Sequence, residues 1–203
     1  MIFRRREVLS MMLGGAAAGM SAAEPGWSSL LPGPTLKGWR AEGHAVWTVE
    51  NGVLVGRPGA GGAAGDLYTV KQWADFELEA EWKMRWPGNS GIWFRVNGPE
   101  TGYQADILDD AVTLSGSLYC MGKAFIAENR DHSTVNHDDW NRTRILARGD
   151  EFVIEQNGKK VVEVRDHTFP GPGSIGIQVH AGHDFQSMEV RVRMLRLRAV
   201  KRG

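Results

Sequence analysis

"DFELEAEWKM", residues 75–84, decides the fold. Phe76, Leu78, Ala80, Trp82 and Met84 fall on one side of an extended chain, and Asp75, Glu77, Glu79, Glu81 and Lys83 on the other. A period of two sustained over the whole stretch describes a strand with one face in a core and one in water; a helix would scatter the charges round its circumference. The same reading repeats outward from here. Asn51-Gly52 and Asn157-Gly158 stand between apolar runs, "AVWTVENGVLVG" and "FVIEQNGKKVVEV". This dipeptide tolerates the positive φ angles of a tight type I′ turn, so each marks a hairpin. Further strands are expected over 142–148, 174–181 and 187–199, and helical periodicity is nowhere convincing. Many strands joined by short turns make an all-β sandwich, jelly roll or barrel.

Two stretches break the pattern. "GRPGAGGAAGDLYT", 56–69, is expected to be a glycine-rich surface loop, since no Lys-Ser/Thr follows it as a phosphate-cradling loop requires. "CMGKAFIAENRDHSTVNHDD", 120–139, reads as a long, polar, irregular loop of the kind that lines binding sites on a rigid scaffold.

The beginning of the chain has the form of a twin-arginine export signal over residues 1–23: Arg5 and Arg6, then Val8-Leu9, then a weakly apolar Gly/Ala/Met run closed by the small residues Ser21 and Ala23. The run is short and glycine-rich for a membrane span. Residues 24–203 are then one domain, expected in the periplasm or outside the cell. The full chain carries no net charge, and removal of Arg4, Arg5, Arg6 and Glu7 leaves −2. Neither nucleic acid nor an anionic membrane surface is an expected partner at that balance. Cys120, the single cysteine, has no disulfide partner within the chain and reads as a small buried apolar residue.

Three strand-like runs carry unusual second faces. In "NSGIWFR", 89–95, alternation sets Gly91, Trp93 and Arg95 against Ile92 and Phe94. In "YQADIL", 103–108, it sets Gln104 and Asp106 against Tyr103, Ala105 and Ile107. In "SIGIQVHAG", 174–182, Gly176, Gln178 and His180 oppose Ile175, Ile177 and Val179. Solvent-facing strand sides are ordinarily filled with Lys, Glu and Thr. Amide, carboxylate, arginine and imidazole around a tryptophan suit a saccharide: the polar groups bond hydroxyls and the indole stacks on the apolar face of a pyranose.

"NSGIWFR", "GYQADILDD", "SGSLY", "DDWNRTRI", the Asn-Gly hairpin, "GSIGIQVHAG" and "VRMLRLRAV" follow one another in this order. The series resembles the 3-keto-disaccharide hydrolase domain family over about residues 26–200. The resemblance implies a concanavalin-like jelly-roll β-sandwich of two antiparallel sheets, and cleavage of glycosides whose 3-hydroxyl has been oxidised to a ketone. Matched to the family's elements are Asn89, Ser90, Gly91 and Arg95, then Tyr103 and Asp109, Tyr119, Trp140 with Asn141, Gln178 with His180, and Arg193. One departure touches the chemistry: Gln104 stands where the family has glutamate and Asp106 where it has glutamine, so acid and amide have exchanged places ~7 Å apart on one face. Met194 stands where asparagine is usual.

A 3-keto sugar has an acidified C2 proton, because the adjacent carbonyl stabilises the carbanion as an enolate. Elimination of the C1 substituent needs a base, a donor or cation for the enolate oxygen, and an acid for the leaving oxygen. His180 or Asp106 is the candidate base, Arg95 or a divalent metal the enolate stabiliser, and Tyr119 the acid. Asn89, Trp93, Gln104, Trp140, Gln178 and Arg193 are the candidate sugar-binding residues, with Trp93 or Trp140 as stacking surface. His180, His183 and Asp184 crowd one loop and His137, Asp138 and Asp139 another, but neither spacing is a zinc signature. A noncatalytic carbohydrate-binding module is the alternative reading, and the exchange at 104 is what favours it.

Overall fold

The structure is a computed structural model that describes residues 26–201; the export-signal segment lies outside the described residues. Strands, all paired antiparallel, follow in chain order as β1 (Ser28–Ser29), β2 (Trp39–Gly43), β3 (Val46–Glu50), β4 (Val53–Arg57), β5 (Gly65–Trp73), β6 (Phe76–Arg85), β7 (Asn89–Val96) and β8 (Tyr103–Leu108). They continue as β9 (Leu114–Cys120), β10 (Ala124–Asn129), β11 (Asn141–Arg148), β12 (Glu151–Gln156), β13 (Lys159–Arg165), β14 (Gly173–Val179) and β15 (Glu189–Ala199). One sheet runs β13-β12-β11-β6-β15-β4-β3 with β1 added to β15, the other β10-β9-β8-β7-β14-β5-β2. The jelly-roll sandwich is as expected. Among the described residues no helix is long and apolar enough to cross a membrane.

The opening strand, β6, lies in the middle of the eight-stranded sheet. Phe76, Leu78, Ala80 and Trp82 are wholly buried and belong to one core with Ile92, Phe94, Ala105, Ile107, Ile175 and Ile177 of the other sheet. Each large side chain so buried stabilises the fold by roughly 1.5–3 kcal/mol before chain entropy is set against it. The Trp82 indole N–H donates to Thr143 Oγ1 at 2.8 Å, which donates in turn to Gln156 Oε1 at 2.7 Å, so the ring enters the core without an orphaned donor. On the outer side, Glu77 pairs with Arg144 and Arg198, Glu79 with Arg142 and Arg196, and Glu81 with Arg193. Both Asn-Gly turns have the backbone a type I′ turn needs: φ is 52° and 80° at Asn51-Gly52, and 50° and 82° at Asn157-Gly158.

Three expectations are corrected. Residues 65–69, read as the end of a loop, begin β5, a strand paired on both sides. Glycine at 65 marks close packing rather than freedom: a Cβ there would stand 2.6 Å from the Glu42 carbonyl oxygen. Residues 124–129, inside the stretch read as irregular, form the edge strand β10, whose one-sided pairing and register shifts leave no clean alternation to read. The third correction is Arg95. It has φ 56°, and two residues of β7 (94 and 95) oppose one of β14 (175) between the pairs Trp93↔Gly176 and Val96↔Ser174. This bulge breaks the period of two. Val96 joins Trp93 and Tyr68, while Arg95 turns the other way and is fully buried. Its guanidinium donates to the carbonyls of Ala74 (3.0 Å), Gly149 (2.7 Å) and Phe169 (3.3 Å), meets Asp75 Oδ1 at 3.2 Å, and lies over the Phe152 ring. Arg95 fastens three chain segments and is not an enolate stabiliser.

Candidate active site

The face of the seven-stranded sheet turned away from the core is built by register. Trp93 pairs across strands with Gln104 and with Gly176, Gln104 with Tyr119, Tyr119 with Phe125, and Gly176 with Tyr68. One pair further along, Gly91 stands opposite Asp106 and Gln178 opposite Asp66. Asn89, Trp93, Gln104, Asp106, Tyr119, Met121, Phe125, Gln178 and His180 line a cavity of about 330 Å³. The two glycines clear its floor. A Cβ on Gly91 would fall 2.3 Å from the Gln104 side chain, and one on Gly176 2.4 Å from the Tyr68 ring, so neighbouring side chains lie flat across the strands. Gln104 Nε2 thereby reaches over β7 to donate to Gln178 Oε1 at 3.0 Å. That bond fixes both amides and leaves the Gln178 amide N–H groups available as donors.

Asp106 is 6 % exposed, and its Oδ1 is buried with no hydrogen-bond partner among the described residues. Burial pushes its carboxyl up to about 7, only partly opposed by the Ile107 backbone N–H. His180 stands just past the end of β14, exposed, its backbone N–H bonded to the Asn89 carbonyl at 3.2 Å and its ring edge-on to Phe185 at 6.1 Å. The Tyr119 ring is edge-on to Trp93 (6.3 Å) and to Phe125 (5.6 Å).

Sequence reasoning missed the support beneath Trp93. Its indole N–H donates to Asp66 Oδ1 at 3.0 Å. Burial raises the Asp66 carboxyl to about 6, against the lowering influence of the Trp93 and Tyr68 hydrogen bonds and of His180. Tyr68, from the same strand, carries the Arg40 guanidinium 5.1 Å from its ring centroid, and burial raises its hydroxyl pKa. The signal was present: in "GDLYT" Asp66 and Tyr68 alternate with Leu67 and Thr69.

Two expected sugar-binding residues lie elsewhere. Trp140 and Arg193 form a cation–π pair 4.4 Å apart on the other sheet, where Arg193 also binds Glu81 at 2.8 Å. Arg193 is the extra residue of a second bulge, between the pairs Val192↔Trp82 and Met194↔Glu81. Trp140 borders a cavity of about 700 Å³ there, with Trp86, His137 and Glu189. For a divalent metal, Asp106 and His180 are the carboxylate and imidazole that line the Trp93 cavity; among the described residues no three His, Cys, Asp or Glu side chains converge to complete a set.

The protein is an antiparallel jelly roll with an aromatic-lined polar cavity on one sheet. The chain belongs to the 3-keto-alpha-glucoside-1,2-lyase-like domain family, whose model matches residues 26–198. It is 37 % identical, over 68 % of its length, to a 3-keto-disaccharide hydrolase of Bacteroides thetaiotaomicron, and spans 58 % of that relative's length. In fold it is similar to a Parabacteroides distasonis crystal structure assigned provisionally to the glycosyl hydrolases (TM-score 0.67, 20 % identity, 87 % of this chain and 95 % of that one). It is similar also to the carbohydrate-binding module CBM66 of Bacillus subtilis (TM-score 0.62, 20 % identity, 77 % and 93 %).

Proposed function

We propose that the protein cleaves 3-keto-glycosides by elimination across C1 and C2 followed by hydration. The observation that carries this is the isolation of Asp106: a buried carboxyl pushed up to about 7, with its Oδ1 lacking a hydrogen-bond partner among the described residues, and the one carboxylate among them lining the cavity. Direct hydrolysis by paired carboxylates needs a second acid ~5–10 Å away across the scissile bond. Elimination needs one base poised near neutral pH.

The sugar ring stacks on Trp93, its hydroxyls bonded by Asn89 and the coupled Gln104–Gln178 amides. Asp106 as carboxylate removes the C2 proton; the electron pair passes into the enolate, whose C3 oxygen accepts amide N–H bonds. Collapse of the enolate forms the C1–C2 double bond and expels the C1 oxygen. His180 stands on the β14 side of the cavity, across β7 and β8 from Tyr119. It gives the leaving oxygen its proton, and Tyr119 holds the ring against Trp93. Water then adds hydroxyl to C1 and a proton to C2, so the sum is hydrolysis. A 3-keto-disaccharide incubated in D₂O and followed by mass spectrometry tests this: deuterium at C2 of the released keto sugar is expected, and release without it means direct hydrolysis. Binding without release means a noncatalytic carbohydrate-binding module, the reading that glutamine at 104 favours.

The same reading places the protein in the periplasm or outside the cell, on the strength of Arg5-Arg6 and the apolar run behind them. Replacing both arginines by lysine is expected to hold it in the cytoplasm; undiminished export refutes it.

A further inference from the structure

We infer that the group expelled from C1 has its own room beside the catalytic cavity, and that this room selects an uncharged second sugar over an acidic one. The inference rests on the proposed function. Trp86, Pro87, Leu108, Asp109, Asp110 and Phe185, with Gly88, line a second cavity of about 540 Å³. It meets the first along three seams. Gly88 precedes Asn89 at the start of β7, Leu108 follows Asp106 two residues on along the same face of β8, and the Phe185 ring stands edge-on to His180 at 6.1 Å. A glycoside on Trp93 whose leaving oxygen faces His180 directs its aglycone there.

The sizes divide the substrate in the same way. The first cavity, about 330 Å³, is at the small end of the ~300–1,000 Å³ range of small-ligand pockets, so a second ring needs the neighbouring room. The lining states the chemistry of that ring. Trp86, Pro87, Leu108 and Phe185 offer apolar surface for the C–H face of a pyranose, and the carboxylates of Asp109 and Asp110 accept from hydroxyls. Among the described residues no lysine or arginine lines it, and the His137 ring nitrogen Nε2 stands 3.6 Å from the Asp109 carboxylate. A uronic acid or phosphate in this room would meet two carboxylates and no lysine or arginine among its lining residues, so like-charge repulsion disfavours it.

The test compares kcat/KM for three 3-keto-glucosides: the methyl glycoside, a disaccharide with a neutral hexose as aglycone, and the same disaccharide with that hexose oxidised to its uronic acid. For the wild type, the neutral disaccharide is expected to exceed the methyl glycoside about tenfold, the scale of one well-packed contact surface, and to exceed the acidic one severalfold. Trp86→Ala should lower the disaccharide about tenfold more than the methyl glycoside. Asp110→Lys, a change at an exposed residue, should erase or reverse the preference for neutral over acidic aglycone. A wild type that treats all three alike, with neither variant altering the ratios, overturns the room while the proposed chemistry stands. A wild type that turns over none of them, methyl glycoside included, overturns the proposed function and this inference with it.

Discussion

Gln104 donates to Gln178 at 3.0 Å across the strand that separates them, directly over Gly91. Gly91→Ala is expected to part the two amides and leave the fold standing, because what a Cβ would strike is the flexible end of the Gln104 side chain rather than backbone. Loss of one fixed hydrogen bond predicts a three- to tenfold fall in kcat/KM or sugar affinity, with a melting temperature within a few degrees of wild type. A collapsed melting temperature would make Gly91 a folding residue instead.

Trp93 is expected to be the stacking residue and Trp140 to be uninvolved, since Arg193 already covers one face of the Trp140 ring on the other sheet. Trp93→Ala should weaken sugar binding severalfold, because only a small part of its ring is open to the cavity (the residue is 4 % exposed), and Trp140→Ala by nothing measurable in calorimetric titration. Asp66→Ala should fall between them, by loosening the ring it anchors at 3.0 Å. Equal losses for the two tryptophans would return Trp140 to the site.

The buried acid predicts a pH dependence of stability. The Asp106 carboxyl is held at about 7 in the fold, whereas an unfolded aspartate ionises near ~4, so the native state binds more protons between those values. Stability therefore falls as pH rises through that window, by on the order of 4 kcal/mol at most, and the penalty is absent below ~4. Asp106→Asn removes the titration. Its stability relative to wild type should rise between pH 4 and pH 8 in urea denaturation; a flat difference would mean the carboxyl is not desolvated.

The fold was legible because β6 is central and one-sided: ten residues alternate without a break, and two Asn-Gly turns fix hairpins locally. The site was legible as far as alternation holds, which brought Trp93, Gln104, Asp106, Gln178 and His180 to one face. Arg95 was misplaced because it sits at a bulge, and a bulge is set by pairing with a neighbouring strand, which no local period records. Arg193 came from the family resemblance and lies on β15, in the other sheet. Asp66 and Tyr68 were hidden by their glycine-rich approach, read as loop composition when those glycines permit close backbone contact. Trp140 lies outside the cavity because the residue pattern says nothing of which sheet the loop before β11 folds over.

Arg95 supplies a test of structure without chemistry. Its guanidinium is wholly buried, with Asp75 and three carbonyls as partners. Arg95→Met leaves Asp75 without that cation and orphans those carbonyls, and should cost about 3–5 kcal/mol of stability in equilibrium unfolding. Turnover per folded molecule, measured at low temperature, should be close to wild type. Normal stability with a large loss of kcat would restore Arg95 to the enolate.

The last prediction separates the two proton transfers. If Asp106 is the base it must be ionised to act, so kcat/KM should climb with pH through about 7, where its carboxyl titrates, and turn down at higher pH once the group serving the leaving oxygen has lost its proton. Asp106→Asn should remove that limb and lower turnover of a 3-keto-glycoside by about 10²–10⁴-fold, the scale for losing an acid–base group. Exchange of the C2 proton with D₂O should disappear with it. His180→Ala should lower aglycone release by a similar factor yet retain C2 exchange, because enolate formation precedes departure of the leaving group. An aglycone that is already a good leaving group, such as a nitrophenolate, needs no proton and should rescue His180→Ala but not Asp106→Asn. If the histidine variant loses exchange and the aspartate variant keeps it, the roles are reversed: His180 is the base and the carboxyl serves the leaving oxygen.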